Sequence, residues 1–188
     1  MSWKPEVDEI ERRRALALGQ GGEAAVAKQH RQNRLTLRER VDHLLDDGSF
    51  EELGPVAGTP VHNEAGDLVS YDPANFILGF GKIAGRRIIV GGEDFTMRGG
   101  SPSAAGLRKS VYAEDLAVQY KIPLVRLHEG AGGSVGGTGG KGASLPGPVN
   151  ASSRFRSVAQ AMATVPVATA AMGAVAGLPA GRLVASHF

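Results

Sequence analysis

Cysteine is absent from the 188 residues, which removes disulfides and thiolate metal sites and permits a reducing compartment. A long unbroken hydrophobic run is also missing. The most apolar stretch, Val165 to Val184, consists largely of Ala and Gly and is interrupted by Pro166 and Pro179, so no membrane span is expected. The opening Met1-Ser2-Trp3-Lys4-Pro5 is polar and runs into charge, unlike a secretory signal, and the cytoplasm is the expected location. A formal charge of +2 is too small for the pI near 9.1 to argue for nucleic acid. Acidic residues stop altogether after Glu129, while Lys141, Arg154, Arg156 and Arg182 remain. That asymmetry suits a small polyanionic ligand, or a partner chain that neutralises the same face.

Several catalytic signatures are lacking. No G-x-S-x-G elbow supplies a nucleophilic serine, and His30, His43, His62 and His187 are scattered without metal-ligand spacing. A phosphate loop is excluded because Lys141 is followed by Gly142 and not by a hydroxyl residue.

What the sequence does contain is a short apolar run that ends in glycine, Leu124-Val125-Arg126-Leu127-His128-Glu129-Gly130-Ala131-Gly132-Gly133-Ser134. A buried parallel strand ending this way delivers exposed backbone N–H groups to one point. Such a point can hold a phosphate or the negative oxygen that develops on a thioester. His128 and Glu129 beside it can be read as an acid–base pair. The alternative is that His128 simply points inward along a strand and Glu129 satisfies loop amides.

Around this run the periodicity predicts helices over 5–18 and 23–30, the first with its basic triplet Arg12-Arg13-Arg14 as a solvated face. A capped amphipathic helix follows, with Thr36 and Glu39 as capping box, Leu37, Val41, Leu44 and Leu45 on one face, and Gly48 as terminator. Residues 55–75 read as irregular. A hairpin is expected from Phe76 to Ile83 and Arg86 to Val90 about Ala84-Gly85, with Asp94-Phe95-Thr96 extended beyond it. Next come a helix over 104–120 with Leu107, Val111, Leu116 and Tyr120 as its stripe, and the glycine-ended strand. After a Gly136–Pro148 loop, a helix over 152–163 presents Phe155, Val158, Ala159 and Met162, and a strand over 167–172 ends in Gly173-Ala174-Val175-Ala176-Gly177.

Helix, proline, strand and glycine turn thus occur twice, which implies an α/β fold with right-handed crossovers and a parallel sheet. Both turns fall at the carboxyl edge of the sheet, where ligands are expected. Amides at 131–133 and 176–178 can then stabilise an oxyanion with no catalytic side chain.

A resemblance runs along nearly the whole chain. Gln29-His30, then Leu35-Thr36-x-Arg38-Glu39-Arg40-Val41-x-x-Leu44-Leu45-Asp46-x-Gly48-Ser49-Phe50-x-Glu52, resembles the N-terminal signature of biotin-dependent acyl-CoA carboxylase carboxyltransferase subunits. The similarity continues through Gly79-x-Gly81-x-Ile83-x-Gly85-Arg86, Asp94-Phe95-Thr96-x-x-Gly99-Gly100-Ser101, Lys109, Ala117, Pro123 and Gly173-x-x-Ala176-Gly177. It implies a crotonase-like (ClpP/crotonase) spiral of ββα units, here an incomplete N-terminal carboxyltransferase lobe. Residues 1–54 would form a helical segment and 55–188 the partial domain.

The implied reaction moves a carboxyl group from carboxybiotin, borne on a separate carrier, to the α-carbon of an acyl-CoA. The implied oxyanion hole is the backbone of Ala131 and Gly132, with Gly130, Gly133, Ala176 and Gly177 contacting substrate. Where the family pattern has Ser-Gly-Gly-Ala-Arg, this chain has Gly130-Ala131-Gly132-Gly133-Ser134. The second turn reads Ala176-Gly177-Leu178 in place of Ala-Gly-Gly, and His187 stands where an aspartate is expected. The implied partners are a biotin carboxylase or biotin-carrier subunit and either the second lobe or further copies of this chain. No nucleic acid, membrane or metal is implied. A malonyl-type decarboxylase and a non-catalytic acyl-CoA-binding module are the alternative functions.

Overall fold

A two-residue turn sets the register of the sheet. Ala84 and Gly85 both have positive φ, +49° and +74°, the geometry whose twist matches an antiparallel hairpin. Alanine is held there by Asp46, whose carboxylate oxygens accept the Ala84 and Gly85 N–H groups at 2.8 and 2.7 Å.

The computed structural model describes residues 2–132 and 154–188. Helices α1 (Lys4–Leu18), α2 (Glu23–Arg31) and α3 (Leu37–Leu44) precede strand β1 (Glu51–Glu52) and the strands β2 (Gly58–His62), β3 (Leu68–Pro73), β4 (Phe76–Ile83) and β5 (Arg86–Glu93). Helix α4 (Ala104–Tyr120), strand β6 (Leu124–Gly130), helix α5 (Arg154–Thr164), strand β7 (Val167–Val175) and helix α6 (Leu178–Val184) complete the order. Five strands form one sheet in the order β1-β4-β5-β6-β7. Its first half is antiparallel, whereas β5, β6 and β7 run parallel, as the repeated units require.

Alternation along the strands buries both faces. Phe76, Leu78, Phe80, Ile89 and Leu124 pack with α4 and with Ala161 of α5. Ile77, Ile88, Val90 and Leu127 pack with Leu37, Val41 and Leu45 on the other side. Gly81 makes the second contact possible, because a Cβ there would lie 2.5 Å from Leu45 Cδ1. Helix α3 begins with the expected capping box. Its end differs from expectation: Leu45 closes it in extended conformation, and Gly48, at φ +67°, lies in the turn beyond.

Other differences have local causes. Residues 55–75 contain a hairpin of β2 and β3, concealed in sequence by Pro60, Pro73 and a register shift at Val61/His62. Its loop is closed by Asn63 and Asp67, with Asp67 N–H donating to Asn63 Oδ1 at 2.8 Å. The basic triplet is not wholly solvated either: Arg12 donates to the Leu68 carbonyl at 3.1 Å, and Arg13 lies over the Tyr71 ring. Beyond β5 the chain turns at Asp94, whose Oδ1 accepts the Thr96 N–H at 2.9 Å, instead of staying extended.

Helix α4 buries small residues, Ala105, Ala113 and Ala117, together with Leu116, Lys109 and Glu114. Leu107 and Val111 are only half-buried and Tyr120 is exposed, because close approach to the sheet favours short side chains at the contact. In α5, likewise, Ser157 and Ala161 are buried while Phe155 is 79% exposed, so of the anticipated stripe Phe155 and Ala159 face outward and only Val158 and Met162 are half-buried, Met162 against the core. Strand β7 runs three residues past its expected end, and α6 follows it unanticipated. The loop expected over 136–148 and the start of the 152–163 helix lie outside the described residues. Among the described residues, no helix is long and apolar enough to cross a membrane.

Candidate functional site: the glycine turns at the sheet edge

The carboxyl half of β6 is a buried strand carrying three ionisable side chains, Arg126, His128 and Glu129, each at most 2% exposed. A charge in such a place needs a partner. On the α4 face, Glu114 Oε1 accepts from Arg126 Nη2 at 2.6 Å and from Arg182 Nε at 2.7 Å, and Ser157 donates to the other oxygen. Burial pulls the Arg126 guanidinium down to about 10, an effect that Glu114 opposes. His128 Nδ1 lies 3.0 Å from Glu93 Oε2. Among the described residues, three buried nitrogens here, Arg126 Nη1, His128 Nε2 and Arg182 Nη2, have no hydrogen-bond partner.

Glu129 points to the opposite face. Its Oε2 lies 2.5 Å from Arg40 Nη1 and accepts from Gln29 Nε2 at 3.2 Å, while Oε1 accepts from Arg34 Nη1 at 3.2 Å. The expectation that Glu129 satisfies loop amides is therefore corrected: among the described residues its side chain binds cations from α3 and from the segment before it, together with the Gln29 amide of α2. The pairing of His128 with Glu129 as one acid–base unit is corrected too. They occupy opposite faces of β6, as successive strand residues must.

Above these groups the two glycine turns meet. The Gly130 carbonyl accepts the Ala176 N–H at 2.9 Å, and the Ala131 N–H donates to the Gly99 carbonyl at 2.9 Å. Gly132 has φ +83°, and a Cβ there would sit 3.2 Å from Ala176 C and from Gly177 N. The turns therefore pack backbone to backbone, which only glycine at 132 allows. Gly130 and Gly132 are buried, whereas Ala131, Ala176 and Gly177 are exposed at the edge. Gly177 also has positive φ, +62°, and precedes α6. The structure thus brings together Gly130, Ala131, Gly132, Ala176 and Gly177; Gly133 lies outside the described residues. Two of the anticipated N–H groups, those of Ala131 and Ala176, are already committed within the protein. Among the described residues, no acceptor engages the Gly132 N–H.

Arg34, Arg40, Gln29, Glu93, Glu114 and Arg182 were not anticipated as parts of this region. The available signal was the charge on β6 itself, since three ionisable residues in a strand read as buried require counter-groups. Among the described residues, no cluster of three or more His, Cys, Asp or Glu could hold a metal.

The fold of this chain is shared with known enzymes. The structure superposes on transcarboxylase 12S, a hexamer solved with methylmalonyl-coenzyme A and methylmalonic acid bound, with a TM-score of 0.75 at 23% identity, covering 100% of this chain and 36% of that one. It also superposes on a single-chain, multi-domain long-chain acyl-CoA carboxylase, TM-score 0.72 at 28% identity, covering 96% of this chain and 18% of that one. The fold is that of the crotonase-like carboxyltransferases.

Residues 28–180 match the carboxyl transferase domain, and the chain belongs to that family. It is 32% identical over 184 residues to the carboxyltransferase subunit of propionyl-CoA carboxylase from Haloferax mediterranei, covering 94% of this chain and 33% of that protein. It is 33% identical over 130 residues to the human mitochondrial propionyl-CoA carboxylase beta chain, covering 68% of this chain and 24% of that one. The Veillonella parvula methylmalonyl-CoA decarboxylase subunit alpha is 33% identical over 115 residues, covering 61% of this chain and 23% of that subunit. The chain therefore spans a third or less of the length of these relatives.

Proposed function

We propose that this chain supplies the acyl-CoA side of a biotin-dependent carboxyltransferase, with the thioester oxygen held at the Gly130–Gly132 turn. The observation that carries the proposal is the meeting of the two glycine turns, with Gly132 buried at φ +83° against Ala176 and Gly177. An acyl thioester entering there offers its carbonyl oxygen to the Gly132 N–H. As the α-carbon loses its proton, electron density moves to that oxygen, and a fixed N–H is worth most at that moment. The Ala131 N–H joins the hole only by releasing Gly99, so Gly132 is the principal donor in this proposal. Gly130, Gly133, Ala176 and Gly177 shape the walls.

Carboxybiotin on a separate carrier would supply the carboxyl group, and none of the described residues is assigned to hold it. Residues 1–54 act in this proposal as a helical brace and 55–188 as the wound domain. A biotin carboxylase or carrier subunit, the remainder of the carboxyltransferase and further copies of the chain are the proposed partners. Cytoplasmic residence is part of the proposal, supported by the cysteine-free composition.

The similarity to a methylmalonyl-CoA decarboxylase subunit supports a second reading, in which the same enolate forms when carbon dioxide leaves a malonyl-type thioester. The experiment is calorimetric titration with propionyl-CoA and with CoA itself. The proposal predicts about tenfold tighter binding of the thioester, the yield of one added hydrogen bond. Equal affinities would remove the turn from the account. Carbon dioxide release from methylmalonyl-CoA without any biotinylated carrier would favour the decarboxylase.

A further inference from the structure

The glycine turn has almost no side chains with which to fix its own position. Among the described residues, its backbone is held by two hydrogen bonds, to Gly99 and from Ala176, and by whatever holds the residue before it. That residue is Glu129, whose carboxylate is fully buried and reaches away from the turn to the N-terminal helices. We propose that Arg34 and Arg40 are positioning residues that set the Gly130–Gly132 turn through Glu129, making the N-terminal helices part of the thioester-binding apparatus.

Three observations carry this. First, Glu129 is joined covalently to Gly130, so any shift of its side chain toward solvent drags the turn. Second, the space for the carboxylate is built on purpose by a glycine: a Cβ at Gly173 of β7 would lie 2.5 Å from Glu129 Oε1. Third, the backbone on the other side leaves no slack, since a Cβ on Gly100 would lie 2.7 Å from Gly130 Cα. A buried carboxylate without its cations does not stay where it is; it neutralises or moves toward water. Either change alters the height of the Gly132 N–H relative to Gly177. Arg40 is buried with Glu129, whereas the Arg34 side chain is 38% exposed, so Arg34 can be changed without opening the core.

The inference rests on the proposed function for its purpose, but its test does not need a ligand. Amide hydrogen exchange on the full chain is compared for the wild type, Arg34→Gln and Arg34→Lys. Arg34→Gln is expected to speed exchange of the Ala131 N–H about tenfold, while amides of β4 and β5 keep their rates. Arg34→Lys, which restores the positive charge, is expected to recover most of the protection. An unchanged Ala131 rate in Arg34→Gln would overturn the proposal, as would acceleration spread evenly over β4 and β5. Arg40→Met is the more severe variant; if it fails to fold, the Arg34 pair still decides the matter. In parallel, propionyl-CoA binding by Arg34→Gln should lose the thioester increment and keep the affinity for CoA. A wild type that binds no acyl-CoA would sink the functional reading, and the ligand-free exchange result would still decide the positioning role.

Discussion

Two buried carboxylates brace β6 from opposite sides, and each serves two arginines. Glu114 lies on the α4 face, with Arg126 and Arg182 side chains 2% and 3% exposed. Glu129 lies on the α3 face, where Arg40 is as dry but Arg34 reaches solvent. The first cluster ties β6 to α4 and α6 and is buried on all its members; it is a matter of stability. The second ends one residue from the glycine turn and is half open; it is a matter of where that turn sits. Equal chemistry thus does different things according to what is covalently next to it.

The largest effect expected from this comparison is on the dry side. Glu114→Gln leaves Arg126 and Arg182 buried without their hydrogen-bonded counter-charge and should cost about 3–5 kcal/mol in urea unfolding. A loss below about 1 kcal/mol would mean that the cluster is relaxed by water and that the two sides are alike.

A buried cation on α4 gives a pH test. Lys109 is buried with its Nζ 3.2 Å from the Gly54 carbonyl and 3.9 Å from Glu52 Oε1, and burial pulls its ammonium down to about 8 from 10.5. Between those values the unfolded chain holds the extra proton, so stability should rise as pH climbs from about 8 to 10.5. The rise should be on the order of 2–3 kcal/mol relative to Lys109→Met, in which it should vanish. Parallel pH profiles for the two proteins would show that Glu52 fully balances Lys109.

Gly173→Ala presses a methyl group onto the Glu129 carboxylate and should cost about 2 kcal/mol, with faster exchange at Ala131. Exchange unchanged at the turn would separate the cluster from it. The smallest effect belongs to Thr36→Ala, which removes the cap of the helix that carries Arg40. It should cost about 1 kcal/mol, and an intact Arg40–Glu129 pair should keep the turn protected.

Most of this architecture is legible in the sequence because it depends on local rules. The Ala84-Gly85 turn, the Thr36/Glu39 cap and the two proline-opened, glycine-ended strands each follow from a few adjacent residues, and together they yield the parallel half of the sheet. The partners of Glu129 are not legible, since Gln29 and Arg34 lie 100 and 95 residues back along the chain and only the finished packing chooses among many arginines. The faces of α4 and α5 are only partly legible for a related reason. Leu116 and Met162 of the expected stripes do meet the core, yet close helix–sheet and helix–helix approach also selects Ala113, Ala117 and Ala161. At the turn, the glycines reveal that backbone amides matter, but not that Ala131 and Ala176 have already spent theirs on the protein.

The most direct measurement of the central claim is the ¹H–¹⁵N resonance of Gly132 during titration with propionyl-CoA and, separately, with CoA. The account predicts a downfield proton shift at Gly132 with the thioester alone, as its N–H takes up the carbonyl oxygen, with Ala131 still bonded to Gly99. A Gly132 resonance that ignores propionyl-CoA while the ligand binds, or one that moves equally with CoA, would contradict it.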